Sequence, residues 1–143
     1  MNEFIHRHRV RYYETDLMEV VHHSNYLRFV EEARVEWLRH KNLMQYHYPA
    51  VNVTLAVLET QVRHLKPAYL EDELEIHMQV RMEGLKIRFQ YAIYSGRYGS
   101  QPICTAETWH IPLNENFKVC RLPDGLSAAL EKETWTETWL SNL

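Results

Sequence analysis

The sequence predicts an α+β fold in which one long helix lies against a curved antiparallel sheet. Three observations carry that expectation. Tyr26, Phe29, Val30, Ala33 and Trp37 recur at the i, i+3, i+4, i+7 spacing of a helix with one apolar stripe. The runs Asp72–Met82 and Leu85–Ile93 alternate apolar and polar residues on either side of Glu83-Gly84, the pattern of an antiparallel hairpin with one buried face. A strand, one long helix, a run of hairpins and a small last helix is an α+β order, and a helix with a single apolar stripe needs a sheet to lie on.

Taken in order, His8 to Tyr13 read as a first strand rich in β-formers. His6 and His8 alternate onto one face of it; no acidic or thiol residue nearby completes a metal ligand set, so they read as two exposed histidines. A polar bend with Thr15 and Asp16 follows, then His22-His23, then the helix, expected from Asn25 to about Leu43 with Ser24 as its N-cap. At about 1.5 Å per residue that helix is roughly 28 Å long. His47-Tyr48-Pro49 breaks the chain before a second strand, Val51 to His64. Its centre, Leu55 to Leu58, is apolar on both faces, which predicts cover on both sides and hints at an oligomer. Lys66-Pro67-Ala68 ends that strand, the hairpin follows, and Ile103 to Ile111 is a further strand. Val119 to Leu122 adds a short edge, giving roughly five to six strands in all. A small C-terminal helix is expected from Ser127 to about Trp139, within a helical extension spanning 124–143.

A chain of 143 residues suits a single domain, 1–143, with one core. The formal net charge of -3 gives no global positive field, which argues against nucleic acid as a partner. Cys104 and Cys120 stand in no CxxC spacing, so neither a disulfide framework nor a zinc site is expected, and a reducing cytoplasm fits. The first residues turn charged at once, without the apolar core of a secretory signal, and no run approaches the roughly 18 apolar residues of a membrane span. No metal or cofactor is called for.

The stretch RVRYYETDLMEVVHHSNYLRFVEEARVEWL resembles the opening signature of hotdog-fold acyl-CoA thioesterases, nearest to the 4-hydroxybenzoyl-CoA thioesterase/YbgC/FadM group. A second block, VRHLKPAYLEDEL, is similar to that group's strand, Pro-Ala turn and acidic segment, and GLKIRFQYAIY fits its central strands. The resemblance implies a hotdog domain, paired into a homodimer and often a homotetramer, and acting on acyl-CoA or acyl-carrier-protein thioesters without a cofactor. It also implies roles for particular residues. The aspartate matching Asp16 is the group's catalytic residue, as nucleophile or general base. The position matching His23 offers its backbone N–H to the thioester carbonyl, a donor of the kind a developing oxyanion requires. Tyr12 and Asn25 match positions near the substrate, while Arg63 and Lys66, with His64, Lys86 and Arg88, are the nearest cations for the phosphates of coenzyme A.

Other roles stand beside these. Asp16 suits an Asx turn at the helix start, His23 can be a packed side chain, Asn25 can stabilise the helix entry or a dimer contact, and Tyr12 and Tyr26 can be core residues. Glu31 and Glu32 suit a solvated helix face, although other hotdog thioesterases use a helix glutamate. Phe29, Trp37, Phe89 and Trp109 can line an acyl tunnel or fill the core. The competing function is a hotdog domain that binds acyl thioesters without turnover, as a sensor or scaffold. Asp16 separates the two, because a pure binder has no need of a carboxylate at the helix mouth.

Overall fold

The computed structural model describes residues 4–46, 52–141 and 143; the expected break at His47-Tyr48-Pro49 and the first residue of the expected second strand, Val51, lie outside the described residues. The strands are β1 (Phe4–Arg9), β2 (Val53–His64), β3 (Glu73–Glu83), β4 (Lys86–Ser95) and β5 (Pro102–Asn114), and the helices are α1 (Ser24–His40) and α2 (Asp124–Glu131). The strands form one five-stranded sheet in the order β1-β3-β4-β5-β2, and each neighbouring pair is antiparallel.

Alternation sets the two faces. Leu74, Ile76, Met78 and Val80 of β3 stand opposite Ser95, Ile93, Tyr91 and Phe89 of β4 on the face that α1 covers. Gly84, at φ 64°, supplies the left-handed residue the connecting turn requires. Leu85 falls in that turn and is exposed, so it does not belong to the apolar face as expected. The α1 stripe of Tyr26, Phe29, Val30, Ala33 and Trp37 is buried in the same core as those strand residues. At 17 residues the helix is about 26 Å long, ending at His40 rather than Leu43.

Several boundaries differ from the expectation. β1 spans Phe4–Arg9, and Tyr12–Glu14 forms a short 3-10 turn instead of continuing the strand. Ser24 is the first helical residue and His23 occupies the N-cap, because the His22 ring engages Ser24: its Nδ1 accepts from the Ser24 hydroxyl at 2.8 Å and the Ser24 N–H at 3.2 Å. His8 is buried against Glu14 and His6 is half-buried beside Glu32, so neither is an exposed histidine. β2 is a sheet edge, with Val57 56% and Leu58 50% exposed in the single chain and a bulge between Val57 and Glu59. Val119 makes only an isolated bridge to Leu113.

α2 begins at Asp124 and ends at Glu131, earlier than expected at both ends. Its Leu126 and Leu130 join the core beside α1, and the Trp37 indole N–H donates to Glu133 at 2.8 Å. The chain then reaches the outer face of the sheet. There Gln79 exchanges hydrogen bonds with the Thr136 backbone at 3.0 and 3.1 Å, and Trp135 lies beneath the guanidinium groups of Arg81 and Arg88. The face a lone helix would leave bare is therefore partly covered by the last residues.

Polar residues also enter the inner face. Arg34 Nη1 donates to the Tyr91 hydroxyl at 3.0 Å, Tyr91 and Thr108 share a hydrogen bond of 2.8 Å, and Thr108 Oγ1 lies 2.9 Å from His110 Nε2. Burial, with a smaller contribution from the Arg34 charge, holds the His110 pKa down to about 4 from an ordinary 6.5. Protons therefore favour the unfolded chain between those values. Stability is complete above about pH 6.5 and falls as pH drops towards 4, by about 3 kcal/mol at the lower end. Urea unfolding across that window tests this: His110→Phe should flatten the dependence, and an unchanged slope would assign it to other groups.

Candidate active site

The segment between β1 and α1 is a small loop pinned at its base. Thr15 stands opposite Val21 in an antiparallel bridge, the Asp16 N–H donates to the Val20 carbonyl at 2.9 Å, and the Glu19 N–H returns to the Asp16 carbonyl at 2.9 Å. Glu19 takes φ 65°, the left-handed conformation that closes the reversal. Leu17 and Met18 project into solvent at the tip.

Glu14 holds the base of this loop. It is 7% exposed, and its carboxylate accepts from His8 Nε2 at 2.8 and 3.1 Å and from the Arg11 N–H at 2.8 Å. Its carbonyl accepts the His22 N–H at 2.9 Å and the Asn25 side-chain amide at 2.8 Å. One residue thus ties the end of β1, both legs of the loop and the first turn of α1 together.

Asp16 is half-buried and serves two purposes. Its Oδ1 accepts the Met18 N–H at 2.8 Å, the Asx turn its residue type suits, and Oδ2 makes no hydrogen bond among the described residues. The carboxylate lines an open cleft of about 380 Å³ together with His23, Tyr26, His64 and Lys66. His23 is the N-cap of α1; its ring caps nothing, and its backbone N–H donates to no group among the described residues. An unpaired N–H at the positive end of a helix favours negative charge on a bound oxygen. The His23 ring stacks on His22 at 4.2 Å between centroids and meets the His64 ring edge-on at 6.4 Å. Burial, followed by the His23 ring, lowers the pKa of His64 and favours its neutral form. Lys66 Nζ sits 5.4 Å from the centre of the Tyr98 ring, a cation–π contact at the cleft.

The structure brings Asp16, His23 and Lys66 to this cleft and leaves Tyr12, Asn25 and Arg63 off its wall. Tyr12 is 80% exposed beside the base of the loop. Asn25 is buried, spending its amide on Glu14 and its carbonyl on Arg28. Arg63 borders a different, polar depression on the outer face, near Gln61, Arg88 and Glu107. Arg88 is occupied there by Glu83 and Glu107. His64, expected only as one of the cations near the coenzyme A phosphates, lines the cleft itself, as does Tyr26, expected as a core residue; the anchor Glu14 stands outside the set the sequence singled out. For His64 the available signal was inward alternation at the end of a strand next to the Lys66-Pro67 stop.

The sequence profile of the thioesterase-like superfamily matches residues 10–130. The chain belongs to that superfamily. Among thioesterase-like relatives, the acyl-CoA thioester hydrolase YbgC of Escherichia coli is 40% identical over 86 residues, covering 59% of this chain and 64% of that protein. The solved structure of a hypothetical protein from Aquifex aeolicus is 30% identical, with a TM-score of 0.78 over 89% of this chain and 98% of its own. The 1,4-dihydroxy-2-naphthoyl-CoA thioesterase Slr0204 of Synechocystis superposes with a TM-score of 0.82 over 92% and 97% at 21% identity, a likeness of fold. The hotdog architecture and the thioesterase family read from the opening stretch are both borne out.

Asn25→Ala is expected to lower stability by about 1–3 kcal/mol, because it strips one of two donors from a buried carbonyl. Urea unfolding measures that loss. Hydrogen exchange of the amides from Thr15 to Val21 should quicken in the same variant, and unchanged exchange would show that the His22 bond alone holds the loop.

Proposed function

We propose that this chain hydrolyses acyl-CoA, or acyl-carrier-protein, thioesters to the free acid and the thiol. The observation that carries the proposal is the meeting, in one cleft, of the Asp16 carboxylate and the unpaired His23 N–H. The thioester carbonyl oxygen takes the His23 N–H, which makes its carbon more electrophilic and stabilises the oxyanion that develops. In the general-base route Asp16 removes a proton from water as the water oxygen bonds to that carbon. The tetrahedral intermediate then collapses, the C–S bond breaks, and the thiolate recovers the proton from Asp16. In the nucleophilic route an Asp16 oxygen makes that bond itself, the thiolate leaves, and water hydrolyses the resulting anhydride.

Lys66 is the cation best situated for a coenzyme A phosphate, since it lines the same cleft. Arg63, beside His64 at the end of β2 but on the outer face, is a second cation for a phosphate that extends beyond the cleft. Neutral His64 and Tyr26 shape the wall facing the thioester. The exposed apolar residues Val57 and Leu58 on the sheet edge support a homodimer joined along β2, which would also narrow the open cleft. The unpaired thiols Cys104 and Cys120 fit work in the reducing cytoplasm.

Thiol release from short, medium, long and aromatic acyl-CoAs tests the proposal. Asp16→Asn should lower kcat by about 10² or more with the fold intact. Activity that survives would remove Asp16 from the mechanism. A single turnover in heavy-oxygen water tests the nucleophilic route: water attacking the Asp16 carbonyl carbon of the anhydride leaves label on Asp16 and an Asp16 oxygen in the product acid, and the general-base route does neither. Light scattering at micromolar concentration should give at least a dimer mass; a monomer would reject the shared edge.

A further inference from the structure

A second cavity, of about 340 Å³, lies between the middle of α1, α2 and the inner face of the sheet. Val35, Leu38, Leu55, Phe89 and Leu126 make its wall largely apolar, yet Arg34, His110 and the exposed Glu31 also border it. The hydrogen bonds behind these two residues have a direction. A guanidinium can only donate, so the Tyr91 oxygen accepts from Arg34, and we assign the Tyr91 hydrogen to Thr108, its one hydrogen-bonding neighbour besides Arg34 among the described residues. Thr108 in turn donates to His110 Nε2. This ordering gives every hydroxyl hydrogen an acceptor and leaves the ring proton on Nδ1.

His110 is 2% exposed, and Nδ1 has no hydrogen-bond partner among the described residues. The Leu55 carbonyl is close enough to favour the protonated ring slightly, but it makes no bond of acceptable geometry to Nδ1. Buried donors are rarely left unpaired. The half-buried Arg34 guanidinium, beside the Phe89 ring at 5.9 Å, meets no carboxylate among the described residues. A largely apolar chamber with one unpaired N–H and a guanidinium lacking a counter-charge at one side suits a ligand that is apolar along its length and ends in oxygen.

The chamber is aligned with the cleft. His23, Leu27, Val30, Arg34 and Leu38 fall at successive i+3 and i+4 steps on one stripe of α1. His23 and Arg34 are about 16 Å apart at about 1.5 Å per residue. On β2 the residues opposite Cys104, Ala106, Thr108 and His110 are His64, Val62, Thr60 and Val57, so one row of inward positions runs from the cleft to the chamber.

We propose that this chamber receives the far end of the substrate's acyl group, and that Arg34 and His110 select acyl groups ending in a hydrogen-bond-accepting oxygen, carboxylate or hydroxyl. The inference rests on the hydrolase reading above. A methyl end leaves Nδ1 of His110 unpaired beneath it, whereas an oxygen satisfies that N–H, and a carboxylate also answers the guanidinium charge.

The test uses acyl-CoAs matched in length and ending in methyl, hydroxyl or carboxylate. Wild-type kcat/KM should favour an oxygen-ended chain about tenfold or more over its methyl-ended counterpart. His110→Phe, which keeps the ring volume, and Arg34→Met, which keeps the stem, should each bring that ratio towards one. A preference confined to carboxylate assigns the charged end, and one shared by hydroxyl assigns the neutral end. Equal use of methyl and oxygen ends by wild type, or a preference that both variants retain, overturns the proposal while leaving the hydrolase reading intact. Calorimetric binding of the same compounds to Asp16→Asn separates the two ideas. If wild type turns over nothing, the hydrolase reading falls. The chamber is then upheld by tighter binding of oxygen-ended chains that His110→Phe abolishes, and overturned by equal binding. Circular dichroism and urea unfolding verify each variant; should His110→Phe not fold, Arg34→Met, on the half-buried helix face, carries the test.

Discussion

The arrangement around Glu14 is the constraint on which the site depends. A carboxylate buried this far from water must find donors, and here the His8 ring and the Arg11 N–H provide them. The same residue's carbonyl receives His22 and Asn25. Four groups from β1, the 3-10 turn, the returning leg of the loop and the helix thus converge on one side chain and its peptide. Losing the carboxylate would leave the buried ring and the Arg11 amide short of an acceptor together, which is why a network of this kind holds its geometry more firmly than any single bond in it. The loop bearing Asp16 has little freedom as a result: its stem is fixed at Thr15 and Val21, and one Asp16 oxygen is committed to the turn.

That rigidity matters because the two groups of the cleft come from different elements. Asp16 belongs to the loop, and the His23 N–H belongs to the helix. Their separation is set by Glu14, whose carbonyl accepts from His22 on the returning leg and Asn25 on the helix, and by the packing of Tyr26 and Phe29 behind them, rings 5.7 Å apart in an edge-on contact. Tyr26 also meets the His64 ring at 5.1 Å, so the end of β2 is held to the same hub. Burial raises the Tyr26 pKa well above its ordinary value and keeps the phenol neutral, so the wall facing Asp16 carries no second negative charge from that side.

Much of the fold was legible because alternation and helical spacing are local. The β3–β4 hairpin and the α1 stripe stand where the pattern put them. The misplacements share a cause: a local preference met a tertiary bond. Tyr12 and Tyr13 favour a strand, but the reach of Glu14 back to Arg11 and His8 bends the chain into a 3-10 turn and turns both rings outward. Ser24 is a good N-cap by type, but the His22 ring engages its hydroxyl and N–H. The edge position of β2 is a matter of strand order, which no window of sequence contains. In the site, Asp16 and His23 were readable from the opening motif and Lys66 from the second block, whereas Glu14 and the contact of His64 with Tyr26 and His23 acquire their places from pairings across the fold.

The polar quartet of Arg34, Tyr91, Thr108 and His110 raises a different question: why a sheet face otherwise packed with Ile, Leu, Val, Met and Phe should carry it at all. For stability alone an apolar set of similar volume would serve as well, since buried polar groups at best recover what desolvation costs them. The pairing register makes the cost larger, because it fixes Thr108 opposite Phe89 and His110 opposite Ile87, in the centre of the covered face rather than at its rim. Three members of the chain satisfy one another, and the mismatch is concentrated in a single atom, Nδ1 of His110, beside a cavity. A network shaped only by folding would be expected to close on itself. One that stays open at a cavity wall is better understood as half of a recognition surface, with the remaining acceptor supplied by whatever the chamber holds.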